Sequence, residues 1–199
     1  MISRVFYSLR TAAWGGVFTL AGLSGANAEV LMGAAPITFK ATFIKPTCQI
    51  NATPLVEFGS VPSSTIRQNG LSTLATATVS LSQCQGGAGA TPMIEVTGTE
   101  TVLDEGLRVF KTGGDSQGYG VQLNAPTEKV TQISQNTNPV GKGLSSGTRV
   151  EIGSSTTAVS SLNGDYDFSA QLSCGECADI ALLRGGELTA SVTFSFLYE

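Results

Sequence analysis

Four cysteines are the residues best suited to chemistry in this chain. Cys174 and Cys177 form a Cys-Gly-Glu-Cys pair, a spacing that redox proteins place at the start of a helix. Here the pair follows a strand-like run, residues 168–173, and no helical period comes after it. A four-cysteine zinc site needs a second such pair, whereas Cys48 and Cys84 lie far apart. The spacing therefore favours structural disulfides over a redox or metal centre.

Carboxylates offer a second kind of chemistry. The chain has no histidine, which removes Ser-His and Cys-His nucleophile pairs and every histidine-ligated metal. Asp104, Glu105, Asp165 and Asp167 could pair to hydrolyse a glycosidic bond. They lie among glycines and serines, however, where a solvated turn is the simpler explanation. We therefore expect no enzyme, no cofactor and no metal.

The composition agrees with a non-catalytic β protein. Charged residues make up 13% of the chain, there are 24 glycines, and the net charge is −4. So low a charged fraction with so much glycine is unlike a helical enzyme. An acidic balance without a basic run disfavours nucleic acid as a partner.

The first 28 residues predict a secretory signal peptide. Arg4 and Arg10 are the only charges before Glu29, and an apolar stretch over 12–23 leads to a small-x-small cleavage site at 26–28. The apolar stretch is shorter than the roughly 20 residues that a membrane span needs. The sequence therefore predicts an exported protein.

Export changes how the cysteines are interpreted. In an oxidising compartment, four cysteines usually form two bridges. Three pairings remain open from the sequence, of which Cys48–Cys84 with Cys174–Cys177 is the most economical.

Alternation of apolar and polar residues recurs along the exported chain and predicts strands throughout. The runs are residues 37–44, 55–58, 74–81, 93–97, 108–110, 119–123, 148–152, 166–170 and a C-terminal run from 186. A short helical turn is expected around 130–135. Closely spaced strands with Gly-rich turns predict an all-β sandwich or barrel.

The C-terminal run keeps its alternation for over ten residues, from Gly186 to Glu199. Its apolar side chains share one face: Leu188, Ala190, Val192, Phe194, Phe196 and Tyr198. The hydroxyl side chains share the other face, as in a strand that covers a core.

The exported N-terminus alternates more weakly. Leu31, Gly33, Ala35 and Ile37 share one phase, and no turn separates them from the first clear strand. This segment is either a flexible leader or a strand available to complete another subunit's sheet.

Taken in order, these features resemble the subunits of chaperone–usher pili, the type 1 and P fimbriae of Gram-negative bacteria. The first cysteine comes about twenty residues after the cleavage site and the second 36 later. Residues 56–61 and 118–123 also match the family pattern. Gly186, fourteen residues from the C-terminus, precedes an alternating strand whose penultimate residue is Tyr198.

The resemblance implies an incomplete immunoglobulin-like sandwich, residues 37–199, that lacks its final strand. The C-terminal strand would border the open groove, where a periplasmic chaperone would lend a strand and hold the carboxylate of Glu199. At the outer-membrane usher, the N-terminal extension of a neighbouring subunit would replace that strand. Residues 29–36, continuing to Ile37, would be this chain's donor strand, with Gly33 where the family favours a small residue. Cys48 and Cys84 would bridge the first two strands.

The sequence thus predicts a structural subunit of a fimbria on the cell surface, exported through the periplasm and contributing to cell adhesion. The alternative is an autonomous secreted carbohydrate-binding module, although the exported chain has no Trp and three Tyr to offer as sugar platforms. The Cys174–Cys177 pair and the length depart from the major-subunit pattern. They favour a minor, adaptor or terminating subunit.

Overall fold

The computed structural model describes residues 46–199, apart from Thr73 and Asp179. The predicted signal peptide, the predicted donor strand and the strand predicted over 37–44 lie outside the described residues. No described helix is both long and apolar enough to cross a membrane.

The described residues form two antiparallel β-sheets with little helix, which confirms the all-β fold class. The strands are β1 Thr47–Ala52, β2 Ala75–Gln85, β3 Pro92–Gly98, β4 Glu100–Val102, β5 Arg108–Phe110, β6 Gly120–Asn124, β7 Gln132–Ser134, β8 Thr148–Glu151, β9 Gly164–Ser173 and β10 Val192–Tyr198. One sheet has the order β1-β2-β9-β6-β5-β4 and the other the order β10-β3-β8-β7. One α-helix, α1 Ser63–Asn69, and three short 3-10 turns complete the described elements.

The core lies between the two sheets and comes from the alternate residues of their central strands. Val79 of β2, Ile94 of β3, Val150 of β8 and Phe168 of β9 are all fully buried. Burying each such side chain stabilises the fold by about 1.5–3 kcal/mol. The period-2 pattern therefore places the predicted strands correctly wherever one face meets this core.

The structure differs from the sequence prediction at two places beside the sheets. Residues 55–58 were predicted as a strand but are irregular, because Thr53 makes the last bond to β2 and Pro54 has no N–H to continue the ladder. Helix α1 was not predicted. It has seven residues with one buried apolar side chain, Ile66, and so shows no helical period; it ends at Gly70, whose φ is +73°.

The helical turn predicted around 130–135 is wrong. Residues 132–134 are β7, which pairs with β8. Thr131 donates its backbone N–H to the carbonyl of Glu151, so pairing across the sheet decides the conformation here. Long-range bonds of this kind leave no local pattern in a short polar segment.

Tyr166 joins β9 to the turn that precedes it. The ring is buried, and the hydroxyl donates to the carbonyl of Leu162 at 3.0 Å, as in the tyrosine corner of immunoglobulin-like sandwiches. The Lys129 ammonium lies 5.1 Å from the centroid of the ring. Burial raises the pKa of the Tyr166 hydroxyl above its ordinary value.

This raised pKa predicts a loss of stability in alkali. The folded state holds the phenol proton more tightly than the unfolded state, so the stabilisation is complete below the ordinary pKa of about 10. It is lost as the pH rises through the higher pKa of the folded state. We expect urea unfolding of the exported chain between pH 8 and 11 to show this decline, and Tyr166→Phe to flatten it. Equal declines in both proteins would contradict the assignment.

Candidate strand-binding groove

Strand β10 is the edge of the four-stranded sheet. It pairs with β3 along its whole length, from Val192 opposite Gly98 to Tyr198 opposite Pro92. Among the described residues, no strand pairs with its other side. An edge strand presents N–H and C=O groups that can bind a further strand. Among the described strands, β10 therefore has backbone N–H and C=O groups on its outer side without a strand partner.

The edge of the six-stranded sheet lies on the same side of the sandwich. β1 is that edge and is in contact with β10. Beyond β1, a groove of about 410 Å³ opens between residues 53–58 and residues 188–194. Its apolar lining comes from both sheets: Leu55, Val56, Phe58, Ala77, Val121, Leu123, Ala170, Leu188, Ala190, Val192 and Phe194. The groove thus opens directly onto the core.

The apolar face of the C-terminal segment is incompletely covered. Its members pack on the core yet are only partly buried: Leu188, Ala190, Val192, Phe194, Phe196 and Tyr198. On the neighbouring strand, Ile94 and Val96 are completely buried. Phe194 contacts the buried ring of Phe168, with ring centroids 4.8 Å apart. Across the groove, Leu55 is 68% exposed. Within residues 46–199, the core is therefore incompletely covered along β10.

A model of the family described as "Fimbrial protein" matches residues 37–199. The chain belongs to the fimbrial protein family. It is 26% identical over 189 residues to the uncharacterized fimbrial-like protein YfcP of Escherichia coli (strain K12). The alignment covers 92% of this chain and 95% of YfcP. The fimbrial subunit is thus a structural component of an exported surface pilus.

Solved pilus structures are also similar to the fimbrial subunit. One is the P pilus rod subunit PapA, which is 16% identical in sequence. The superposition covers 82% of this chain and 100% of PapA, with a TM-score of 0.45. Another is the structure of a chaperone–usher pilus, with 15% identity, coverage of 84% and 97%, and a TM-score of 0.49.

The last residue of the fimbrial subunit anchors the end of β10. Glu199 and Thr91 exchange backbone hydrogen bonds in both directions. Arg149 of β8 donates through Nη1 to Glu199 Oε2 at 2.7 Å and through Nε to Glu95 Oε1 at 3.2 Å. These bonds fix the register of β10 at its C-terminal end.

The regular strand is shorter than the alternation predicts. It begins at Val192, whereas residues 184–191 follow the loop 111–118 and form bridges to it at Thr189 and Arg184. At Gly186, a Cβ atom would lie 2.3 Å from Asp115 Oδ1. Gly186 therefore permits a close approach of two loops, and Leu188 and Ala190 border the groove from outside the strand.

The described residues contain two disulfides. One joins Cys48 of β1 to Cys84 of β2, and the other joins Cys174 to Cys177 after β9. The described residues contain no free cysteine and no group of three or more acidic or cysteine side chains that could hold a metal.

Three of the four carboxylates considered for glycoside chemistry, Asp104, Asp165 and Asp167, accept structural hydrogen bonds, and Glu105 lies in the 3-10 turn Asp104–Gly106. Asp165 and Asp167 lie in β9, which begins at Gly164; Asp167 falls within the strand predicted over 166–170, whereas Asp165 lies in the strand and not in the predicted turn. They accept hydrogen bonds from Ser80 Oγ at 2.5 Å and from Thr78 Oγ1 at 2.7 Å. Asp104 accepts from the backbone N–H of Ala178 at 3.2 Å. These bonds tie neighbouring segments together.

A polar cleft of about 470 Å³ is bordered by α1, by β6 and by the Cys174–Cys177 loop. Lys142 and Glu176 form an ion pair 2.9 Å long at its rim. Their hydrogen bond raises the pKa of Lys142 and lowers that of Glu176. Both side chains are about half exposed, so solvent screens this pair strongly.

Proposed function

We propose that the groove accepts a β-strand from another polypeptide and that this strand completes the fold. The donor is first a periplasmic chaperone and then, at an outer-membrane usher, the N-terminal extension of a neighbouring subunit. The subunit has a structural role in the fimbria and no catalytic one. The observation that supports this most directly is the half-buried apolar face of residues 188–198 beside an open strand edge.

Strand addition would pair the free main-chain groups of β10 and cover the apolar groove beside it. Main-chain bonds to β10 would pair its outward N–H and C=O groups, and alternate side chains of the donor would fill the groove. Covering the remaining area of each half-buried side chain contributes on the order of 1 kcal/mol. With several such side chains in a row, the completed fold is much more stable than the open one.

We further propose that residues 29–36, continuing to Ile37, are the donor strand that this subunit offers to a neighbour. The support is the shared phase of Leu31, Gly33, Ala35 and Ile37 in the sequence. The side chains of this phase would enter a neighbour's groove, and Gly33 would fit where that groove is narrow.

Deleting residues 29–36 should leave a subunit that is still recovered with its chaperone but no longer joins the groove of another subunit. The groove itself lies within residues 53–194 and is untouched by the deletion. Size-exclusion chromatography of the chaperone complex and gel analysis of surface fibres measure the two outcomes.

A matched pair of variants tests the phase of the donor. Ile37→Asp should block joining because it places a carboxylate in the neighbour's groove, whereas Thr38→Asp in the opposite phase should join normally. Normal fibres from the deletion variant, or equal effects of the two aspartates, would contradict the donor assignment.

An autonomous carbohydrate-binding module predicts a different behaviour. Such a module would be a stable, soluble monomer when purified without a chaperone. The partly exposed core beside β10 makes association the expected result instead. The place of the subunit in the fibre, minor, adaptor or terminating, stays a prediction from its cysteine pattern and length.

A further inference from the structure

The groove begins at the point where β1 leaves β2. Along residues 47–52, β1 is paired with β2 and contacts β10. The last backbone bond between β1 and β2 runs from the N–H of Thr53 to the carbonyl of Thr78, at 2.9 Å. From Thr53 onward, the chain lines the groove instead. Within the described part of the chain, residues 75–77 of β2 therefore have no strand partner on this side.

The hydroxyl of Thr53 ends the ladder between β1 and β2. In a regular antiparallel ladder, the N–H of Thr78 would donate to the carbonyl of Thr53. Here it donates to Thr53 Oγ1 at 3.0 Å, and Oγ1 donates in turn to the carbonyl of Thr78 at 3.2 Å. Threonine side chains that bond to the backbone in this way compete with sheet bonds. The side chain therefore takes the place of the carbonyl, and the chain bends at the next residue, Pro54.

The residues after the bend have the pattern of a strand that could continue β1. In the register of β1, Val56 would lie opposite Ala75 and in the phase of Ile50, whose side chain packs on the core. The backbone N–H of Leu55, which makes no hydrogen bond within residues 46–199, would then donate to the carbonyl of Thr76. A strand continued in this way would occupy the groove with the subunit's own chain.

We propose that Thr53 is a positioning residue that keeps the groove open by ending β1. Without its hydroxyl, the N–H of Thr78 needs another acceptor, and the backbone carbonyl of residue 53 is the regular one. Residues 54–58 would then follow β2 and fill the space that an inserted strand requires. Pro54 supports the bend, because its φ is fixed near about −65° whereas an antiparallel strand prefers about −140°. This inference rests on the proposed function, because an open groove is useful only if a strand enters it.

Thr53→Val tests the proposal, because it removes the hydroxyl and keeps the branched shape of the side chain. Two measurements are made: recovery of the exported chain with its periplasmic chaperone, and amide hydrogen exchange of Leu55 in the exported chain refolded alone with its disulfides intact. We expect Thr53→Val to lower the recovery about three- to tenfold and to slow the exchange of Leu55 by a similar factor, the range of one neutral hydrogen bond. Slower exchange reports the new bond to β2.

Thr53→Ser is the matched control. It keeps a hydroxyl at the same place, so both measurements should equal those of the wild type. Thr53→Val/Pro54→Val removes both obstacles to a longer strand and should change both measurements further in the same direction. Urea unfolding identifies a variant that has failed to fold, and the other valine variant then decides. Unchanged exchange of Leu55 in the valine variants, or slower exchange with recovery equal to that of a wild type that binds the chaperone, would overturn the proposal.

The outcomes separate this proposal from the proposed function. If the wild type and the valine variants are recovered equally well with the chaperone and exchange Leu55 equally fast, the role of Thr53 fails and strand addition stands. If exchange of Leu55 slows in Thr53→Val but the wild type binds no chaperone and no strand, strand addition fails and Thr53 keeps its role in ending β1.

Discussion

Val192→Asp is expected to reduce strand uptake by at least about a hundredfold. The Val192 side chain lines the groove and packs on the core. A carboxylate there would be taken out of water by the incoming strand, and no lysine or arginine lines the described groove to compensate it. Burying an unpaired charge costs several kcal/mol. Uptake is measured with a labelled peptide of the neighbouring subunit's N-terminal extension and as recovery of the subunit with its periplasmic chaperone.

Thr193→Asp is the control for this variant. Thr193 is the next residue of β10 and its side chain is exposed on the opposite face, so the same charge remains in water. It should take up the strand normally. If the two variants behave alike, the groove is not where the donor binds.

Removing the Cys48–Cys84 bridge is expected to lower the free energy of unfolding by about 4 kcal/mol. The two cysteines are separated by 36 residues, so the bridge restricts a long loop of the unfolded chain. It also joins β1, one edge of the sandwich, to β2. Urea unfolding of Cys48→Ser/Cys84→Ser with the groove filled by the donor peptide gives the value.

The second bridge supplies the matched comparison. Cys174 and Cys177 are three positions apart in the sequence, and closing so short a loop contributes about 2 kcal/mol in the same chain-entropy treatment. Cys174→Ser/Cys177→Ser should therefore lose roughly half as much stability. A larger loss from the short loop than from the long one would contradict the chain-entropy explanation.

The strands could be predicted from the sequence wherever a segment has one face on the core. Val79 and Phe168 alternate with polar residues in β2 and β9, so the period of two is visible. The apolar phase from Leu188 to Tyr198 predicted a strand that covers a core, and the open groove beside it was expected from the resemblance to pilus subunits.

Other features depend on contacts between distant residues and left no local pattern. β7 is set by its bonds to β8, and residues 184–191 are set by their bridges to the loop 111–118.

The register of β10 has a consequence for recognition. A slip by one residue would turn Thr193 inward and Phe194 outward, and the contacts of Glu199 with Thr91 and Arg149 oppose such a slip. Side chains on one face of a strand repeat about every 7 Å. The positions along β10 that face alternate side chains of a bound strand are therefore fixed before the strand binds. A strand binds well only if every second side chain has a size that fits its position.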